Sequence, residues 1–72
     1  MVRVEELTKG WGVICWDRLG YKRVHNGCML SYKTDTAHLF RTKREARAFL
    51  KEVGLAHDPA AGVEWFNYES KD

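Results

Sequence analysis

Hydrophobic and polar residues follow two different periods along this chain of 72 residues. Residues 10–40 contain short runs of β-branched and aromatic side chains separated by turn sequences, which is the pattern of a strand meander. Residues 43–53 instead place four apolar side chains, at positions 46, 49, 50 and 53, on one stripe of a helix. After a loop interrupted by Pro59 and Gly62, the sequence VEWFNYE alternates enough to predict a last strand.

Both ends of the predicted helix carry their own signals. Thr42 followed by Glu45 forms a capping box, in which the two side chains satisfy free amides of the first turn. Gly54 stands where a left-handed residue ends a helix, and Leu55 can make the hydrophobic contact that accompanies this ending. The sequence therefore predicts a helix over 43–53 that packs its apolar stripe on one face of a sheet.

Two turns set the expected strand register. Asp17 begins a type I turn that ends at Gly20, which leaves 18–20 as a three-residue loop. Asn26 and Gly27 are the pair best able to adopt positive φ at both central positions of a type I′ hairpin. The expected pairs are Cys15 with Arg23, Val13 with His25, His25 with Cys28, and Val24 with Met29.

Strand alternation then sorts the side chains into two sheet faces. The face that we expect beneath the helix holds Trp11, Val13, Cys15, Tyr21, Cys28, Leu30 and Tyr32. The other face holds Ile14, Trp16, Lys22, Val24, Met29, Ser31 and Lys33. One helix covers one face, so we expect the second to stay uncovered unless the N-terminal VRVEEL or the final VEWFNYE folds over it.

These elements predict a single α+β domain over residues 1–72, in which a small antiparallel β-sheet of three to five strands carries one α-helix on one face. Domains of this size hide only about 60% of the surface that the unfolded chain exposes. A partner or a second copy of the chain would add to the small core.

The charges are unevenly distributed, although the net charge is only +2. Residues 1–52 carry eleven Lys and Arg against six acids, and residues 53–72 carry one Lys against four acids. The two cysteines are too few for a disulfide framework, and no apolar run approaches the ~20 residues that cross a bilayer. The first residues lack the pattern of a secretory leader, so we expect none. We therefore expect a reduced, cytoplasmic protein that does not enter a membrane.

The sequence contains no catalytic or cofactor-binding signature, because it has no Gly-rich phosphate loop, nucleophile elbow or His-Glu-x-x-His helix. His57 and Asp58 are neighbours on a loop without an evident nucleophile beside them. The candidate metal ligands are His25 and Cys28, with Cys15 and His38 as distant additions. Zinc sites usually show paired ligand spacings that do not occur here, so we expect no metal site. Because the catalytic and cofactor motifs are also absent, we expect neither an enzyme nor a bound cofactor.

The predicted helix presents a row of basic side chains opposite its apolar stripe. This basic surface consists of Lys43, Arg44, Arg47 and Lys51. Any surface helix shows charged residues on its outer side, so a solvated face is one interpretation of the row. The other interpretation is contact with phosphates or with an acidic protein surface.

Phe40, Thr42, Lys43, Glu45 and Ala46 match the helix start Phe-x-Thr-Lys-x-Glu-Ala, and three predicted strands precede them. Residues 11–52 therefore resemble the small arm-type DNA-binding domain of phage and mobile-element tyrosine integrases. In that family the sheet enters the DNA major groove. The resemblance implies groove or phosphate contacts by Lys22, Arg23, Ser31 and Lys33. The acidic, aromatic segment VEWFNYE departs from the family pattern.

A stand-alone chain of this length, with a bare sheet and one helix, is also similar to small accessory proteins of phages and mobile elements, among them inhibitors of the anti-CRISPR kind. Such proteins act by occupying a partner's surface. We therefore expect a non-catalytic protein that docks on another protein through the uncovered sheet face, where an exposed Trp among basic residues is typical of interface anchors. The candidate partner-binding residues are Trp16, Lys22, Met29, Ser31 and Lys33. Coverage of Trp16 by a terminal segment is the other interpretation.

Two further expectations follow. DNA binding through the basic sheet and helix surfaces is the alternative function, supported by the charge of residues 1–52. A homodimer at high concentration is expected if Trp16, Val24 and Met29 stay exposed, because soluble monomers rarely tolerate so large an apolar patch.

Overall fold

The computed structural model describes residues 7–68 and contains one open antiparallel sheet of four strands with one α-helix. The α+β class and the single helix on one sheet face are confirmed. The elements are β1 (Lys9–Trp16), β2 (Lys22–His25), β3 (Leu30–Ser31), a 3₁₀ turn (Thr34–Thr36), α1 (Lys43–Glu52) and β4 (Ala61–Asn67). Across the sheet the strand order is β3-β2-β1-β4.

The register of the first hairpin is as predicted. Cys15 lies opposite Arg23, and the amide of Asp17 donates to the Tyr21 carbonyl at 2.9 Å, which closes a three-residue loop. Gly20 takes the left-handed position, with φ of 86°. Because this loop fixes the pairing, the two faces of β1 are also those expected from the sequence.

The register predicted for the second hairpin is wrong by two residues. His25 pairs with Leu30 rather than with Cys28, and residues 26–29 form a longer loop. Met29 therefore lies in this loop and is not a strand residue opposite Val24.

The side chain of Asn26 explains the longer loop. Its Oδ1 accepts hydrogen bonds from the backbone amides of both Cys28 and Met29, each at 2.9 Å. The backbone amide of Asn26 donates to the Met29 carbonyl. Gly27 has a φ of 101°, but Asn26 does not adopt positive φ, whereas a type I′ turn needs it at both positions. The Asn side chain thus caps a wider turn instead of entering a tight one.

The predicted start and stop of α1 are confirmed. The Thr42 hydroxyl accepts from the Glu45 amide at 3.1 Å, and it also contacts the Glu45 carboxylate. At the other end Gly54 has a φ of 83°, and the Leu55 amide donates to the Leu50 carbonyl at 3.0 Å. The first is the Thr42 half of the predicted capping box, since the Glu45 carboxylate accepts from the Thr42 hydroxyl and not from its amide, and the second is the predicted Schellman bond.

The helix covers the face of β1 that the sequence favoured. Ala46 and Val13 are fully buried, and the Phe49 ring meets the His25 ring edge-on with centroids 4.9 Å apart. The Lys43 ammonium lies 5.4 Å from the centroid of the Trp11 ring, on the same side of the sheet.

The expectation that the second face stays uncovered is wrong for most of its length. Ile14 and Val24 are buried there in a cluster with Ala37, Leu39 and Phe66. Residues 37–40 contribute Ala37 and Leu39 to this cluster. The segment lies beside β1, because Phe40 and Trp11 exchange backbone hydrogen bonds in an isolated bridge. Leu7 and Tyr68 pack against the same cluster from the two ends of the described chain.

The last predicted strand is confirmed as β4, which pairs with β1 over its whole length and forms one edge of the sheet. It begins at Ala61, two residues before the predicted VEWFNYE. The Phe66 side chain closes the second face above Gly12, where an added Cβ would lie 3.0 Å from the ring. The segment predicted as a possible cover therefore joins the sheet, and it contributes Phe66 and Tyr68 to the packing on the second face.

Candidate partner-binding surface

Trp16 is the sequence-predicted anchor, and it lies at the end of β1 with 44% of its surface exposed. Its strand partner is Lys22, whose ammonium lies 5.4 Å from the Trp16 ring centroid. The same ammonium donates to the Glu64 carboxylate at 2.5 Å. The Trp16 ring is thus held against a cation whose charge is already compensated, which leaves the ring accessible without a free positive charge beside it.

The five predicted partner-binding residues do not form one group. Trp16 and Lys22 are paired neighbours, and Ser31 lies on the same face because it pairs with Val24. Met29 is exposed in the loop at the far end of β2 from Trp16. Lys33 is exposed after the end of β3, where it precedes the 3₁₀ turn. The structure therefore brings Trp16 and Lys22 together and separates Met29 from them.

Three exposed side chains at the end of the first hairpin, around Asp17, were not predicted as binding residues. Leu19 is 81% exposed in the loop of the first hairpin, and Tyr21 follows that loop with 61% exposure. Tyr32 is 60% exposed and lies beside Arg23, on the helix side of the sheet. We name these residues the hairpin-tip surface: Trp16, Leu19, Tyr21 and Tyr32. The available signal was Leu19, since a large apolar residue inside a three-residue loop has nowhere to be buried.

Asp17 gives the hairpin tip its order. One carboxylate oxygen accepts from the amides of Leu19 and Tyr21, at 2.9 and 2.8 Å, and the other accepts from the Tyr32 hydroxyl at 2.6 Å. The Tyr32 hydrogen bond, followed by that of the Tyr21 amide, lowers the pKa of Asp17 below its usual value. The same contact raises the pKa of Tyr32. All three hydrogen bonds to this carboxylate thus fix residues whose large side chains are exposed, namely Leu19, Tyr21 and Tyr32.

The Cys15 thiol lies near two charged groups on the helix side of the sheet. It is 3.5 Å from an Asp58 carboxylate oxygen and 3.9 Å from an Arg23 guanidinium nitrogen. Burial, followed by the hydrogen bond and charge of Asp58, raises the pKa of Cys15, which opposes thiolate formation. Asp58 also accepts from the Ala60 amide at 2.9 Å, so its carboxylate orders the loop before β4.

The pairing that suggested metal ligands is not formed, because His25 lies opposite Leu30 and Cys28 is exposed in the loop. His25 Nδ1 accepts from the Gly27 amide at 3.1 Å and is already occupied. Burial, with a smaller contribution from the charge of His38, lowers the pKa of His25. Within residues 7–68 no three His, Cys, Asp or Glu side chains gather where a metal ion would need them.

The basic surface of α1 is exposed at all four predicted positions. Lys43, Arg44 and Arg47 line an open concavity of about 360 Å³. On the sheet, by contrast, the contacts implied by the integrase resemblance are divided between faces. Arg23 pairs with Cys15 on the helix side, whereas Lys22 lies on the other side and is bound to Glu64.

Comparison with protein-family models, with curated proteins and with solved structures finds no match for this chain. In the part of the chain that the structure describes, no helix is long and apolar enough to span a bilayer.

Proposed function

We propose that the protein is a non-catalytic binding protein, a phage or mobile-element inhibitor or adaptor, that docks on a partner protein through the hairpin-tip surface. The observation that carries this proposal is the arrangement around Asp17. Four large apolar side chains are exposed at the end of the first hairpin, with Trp16 on the face away from the helix and Tyr21 and Tyr32 on the helix side of the loop that carries Leu19. Trp and Tyr are the residues most enriched among the anchors that dominate protein interfaces.

The order of the loop favours binding energetically. Association costs about 0.5–1.5 kcal/mol for each mobile side chain that becomes immobilised, so an exposed surface that is already fixed loses less. The Tyr32 hydroxyl is held by Asp17, and Trp16 is held against Lys22. A flexible loop carrying the same residues would bind more weakly.

Charge compensation favours a protein partner at this surface over nucleic acid. Lys22 is bound to Glu64, and Arg23 lies near the Asp17 carboxylate, whose pKa its charge helps to lower. Neither cation is well placed to neutralise phosphates, which supply most of the affinity for DNA. We propose a reduced, cytoplasmic location, which the free thiols of Cys15 and Cys28 favour.

Capture of partners from a lysate of the native host, followed by mass spectrometry, tests this function. We expect Leu19→Ser and Trp16→Ser, alone or combined, to abolish capture of the partner while the unfolding midpoint changes little. Met29→Ser is the matched control, since Met29 is 64% exposed but lies at the far end of β2. Capture that survives both tip substitutions, or that is lost equally with Met29→Ser, contradicts the assignment of this surface.

DNA binding through the basic surface of α1 is the second candidate function. Three cationic side chains, from Lys43, Arg44 and Arg47, converge on one concavity. Phosphate contact predicts an affinity that falls with salt, with a logarithmic slope of approximately 0.9 for each neutralised phosphate. Binding of duplex DNA at moderate salt, weakened by Arg44→Ala and Arg47→Ala and not by Trp16→Ser, would favour this candidate over the first.

A further inference from the structure

The outer edge of β4 exposes backbone groups that are able to pair with another strand. At the two ends of the β1–β4 ladder, Ala60 accepts from the Trp16 amide and Tyr68 donates to Thr8. Alternate residues of an antiparallel strand point toward the same neighbour, so the even-numbered residues of β4 bond to β1. The backbone amides and carbonyls of Val63 and Trp65 therefore point away from β1, in the plane of the sheet, toward its open edge.

This edge lacks the usual protection against strand addition. Natural edge strands are commonly short, bulged, or supplied with Lys or Pro. β4 has seven residues, AGVEWFN, and pairs regularly with β1. Its single charged side chain, Glu64, is bound to Lys22 on the side away from the helix. Among residues 7–68, no strand pairs with the outer edge of β4.

The helix carries positive charge above the same edge. The Phe49 ring contacts the His25 ring of β2, so the side of α1 that carries Phe49 faces β2. With 3.6 residues per turn, Lys43 and Arg47 lie roughly 120° and 160° around the helix from Phe49, on the flank that faces β4.

The position of Lys43 above the β1–β4 pair agrees with this. Its ammonium lies 5.4 Å from the Trp11 ring centroid, and the Trp11 ring centroid is 5.5 Å from that of Trp65. Trp11 and Trp65 are also cross-strand partners. The edge therefore has a cationic side, toward α1, and a side that carries Glu64.

From this geometry we propose that the outer edge of β4 binds an extended acidic segment of another protein by strand addition. Carboxylates at every second position of that segment face Lys43 and Arg47. The intervening side chains face Glu64 and are neutral or basic. Backbone pairing with Val63 and Trp65 supplies the affinity, and the charge pattern supplies the selection. This site is separate from the hairpin-tip surface, so either can fail without the other.

An acetylated, amidated peptide of eight residues that alternates Thr and Glu is the probe. We expect it to slow hydrogen exchange at the Val63 and Trp65 amides about tenfold at a concentration near ten times its Kd. The Gly62, Glu64 and Phe66 amides already bond to β1, so their exchange should change much less. A block peptide of the same composition, with four Thr before four Glu, and an alternating Thr and Lys peptide should bind about tenfold more weakly or not at all.

Charge reversal on the helix checks the selection. The double substitution Lys43→Glu with Arg47→Glu should weaken the Thr and Glu peptide about tenfold and strengthen the Thr and Lys peptide. Arg18→Glu is the control, because Arg18 is exposed in the hairpin loop far from this flank, and it should leave both affinities unchanged. Val63→Pro, which removes an outward amide, should also abolish binding if its unfolding midpoint shows that the fold persists.

Four results would overturn the proposal. They are equal binding of the alternating and block peptides, protection at the even-numbered amides alone, and an affinity unaffected by the reversal at Lys43 and Arg47. The fourth is protection of Val63 and Trp65 in the free protein. In that case dependence on protein concentration would identify a second copy at the edge, and independence would identify a terminal segment of the same chain.

Discussion

Gly10 and Phe40 approach each other so closely that a side chain on Gly10 would have no room. A Cβ at this position would lie 2.5 Å from the Phe40 carbonyl oxygen, which is a backbone atom held by its hydrogen bond from the Trp11 amide at 2.8 Å. The Phe40 amide donates in return to the Trp11 carbonyl at 2.7 Å. This contact attaches residues 37–40 to β1 and thereby places Ala37 and Leu39 in the cluster on the second face of the sheet.

We predict that Gly10→Ala destabilises the protein by about 1–3 kcal/mol, because the added methyl group meets the Phe40 carbonyl and because Gly10 has a φ of 158°, which residues with a side chain rarely adopt. Gly62→Ala is the matched control in the paired strand, since no atom lies within 4 Å of a Cβ there. Urea unfolding of both variants measures the difference. A midpoint for Gly10→Ala equal to that of Gly62→Ala would show that residues 37–40 shift without cost and do not hold the second face.

The two cysteines should react with thiol reagents at very different rates. Cys28 is exposed in the second hairpin loop, whereas Cys15 is buried and the pKa of its thiol is raised. Because the thiolate is the reactive form, iodoacetamide at pH 8 should modify Cys28 and leave Cys15 until the protein unfolds. Mass spectrometry of tryptic peptides identifies the site, and Cys28→Ser provides the control. Rapid labelling of Cys15 in folded Cys28→Ser would mean that the loop containing Asp58 opens readily.

Local chemistry made the first hairpin and α1 predictable from sequence. A three-residue loop begun by Asp17 admits one register, and Thr42 and Gly54 mark the helix ends through bonds made within a few residues. The second hairpin was mispredicted at Asn26, because Asn is common in two kinds of turn. It can take positive φ in a tight turn, or its side chain can accept amide hydrogen bonds in a wider turn, as it does here. Propensity alone does not choose between these two uses of Asn.

The cover of the second face and the grouping at the hairpin tip depend on distant contacts. Residues 37–40 contain no turn or capping signal that places them along β1, and their position follows from burial of Leu39 and the bridge of Phe40. Trp16 was predicted as exposed, but Leu19 and Tyr32 come together at this end of the hairpin only through the Asp17 hydrogen bonds. A sequence pattern does not report a contact between residues 17 and 32 unless the strand pairing is already known.

Stability should decrease in mildly acidic solution because of His25. Its folded-state pKa is lowered, chiefly by burial, from an ordinary value of 6.5. The unfolded chain therefore binds more protons below about pH 6.5, and the stability present at higher pH is lost as the pH falls toward the folded-state pKa. Protonation at Nδ1 would also remove the bond from the Gly27 amide.

Thermal unfolding between pH 7.5 and pH 5 measures this effect. We expect the midpoint of the wild-type protein to fall more steeply than that of His25→Gln, in which the titrating group is absent. His57→Gln is the control, since His57 is exposed in the loop after α1. Parallel pH profiles for the wild type and His25→Gln would assign the acid sensitivity to other groups.

Self-association should be weak, for reasons that the sequence did not show. The apolar surface that favoured a dimer included Val24, which is fully buried, and Met29 is separated from Trp16 by the length of β2. Pairing of two β4 edges would form a continuous antiparallel sheet about a twofold axis perpendicular to it. Both helices would then lie on the same side, with the Lys43 and Arg47 flank of one facing that of the other.

We therefore predict a monomer at concentrations up to about 0.1 mM at low salt, where repulsion between these flanks is least screened. Raising the salt concentration should favour association through β4. The double variant Lys43→Glu with Arg47→Glu carries the opposite charge on this flank, so a mixed dimer of the variant and the wild type should form more readily than a dimer of either protein alone. Sedimentation equilibrium of each protein and of their mixture makes the comparison. A wild-type dimer that is tightest at low salt would place the self-association surface elsewhere, and loss of that dimer in Trp16→Ser would locate it at the hairpin tip.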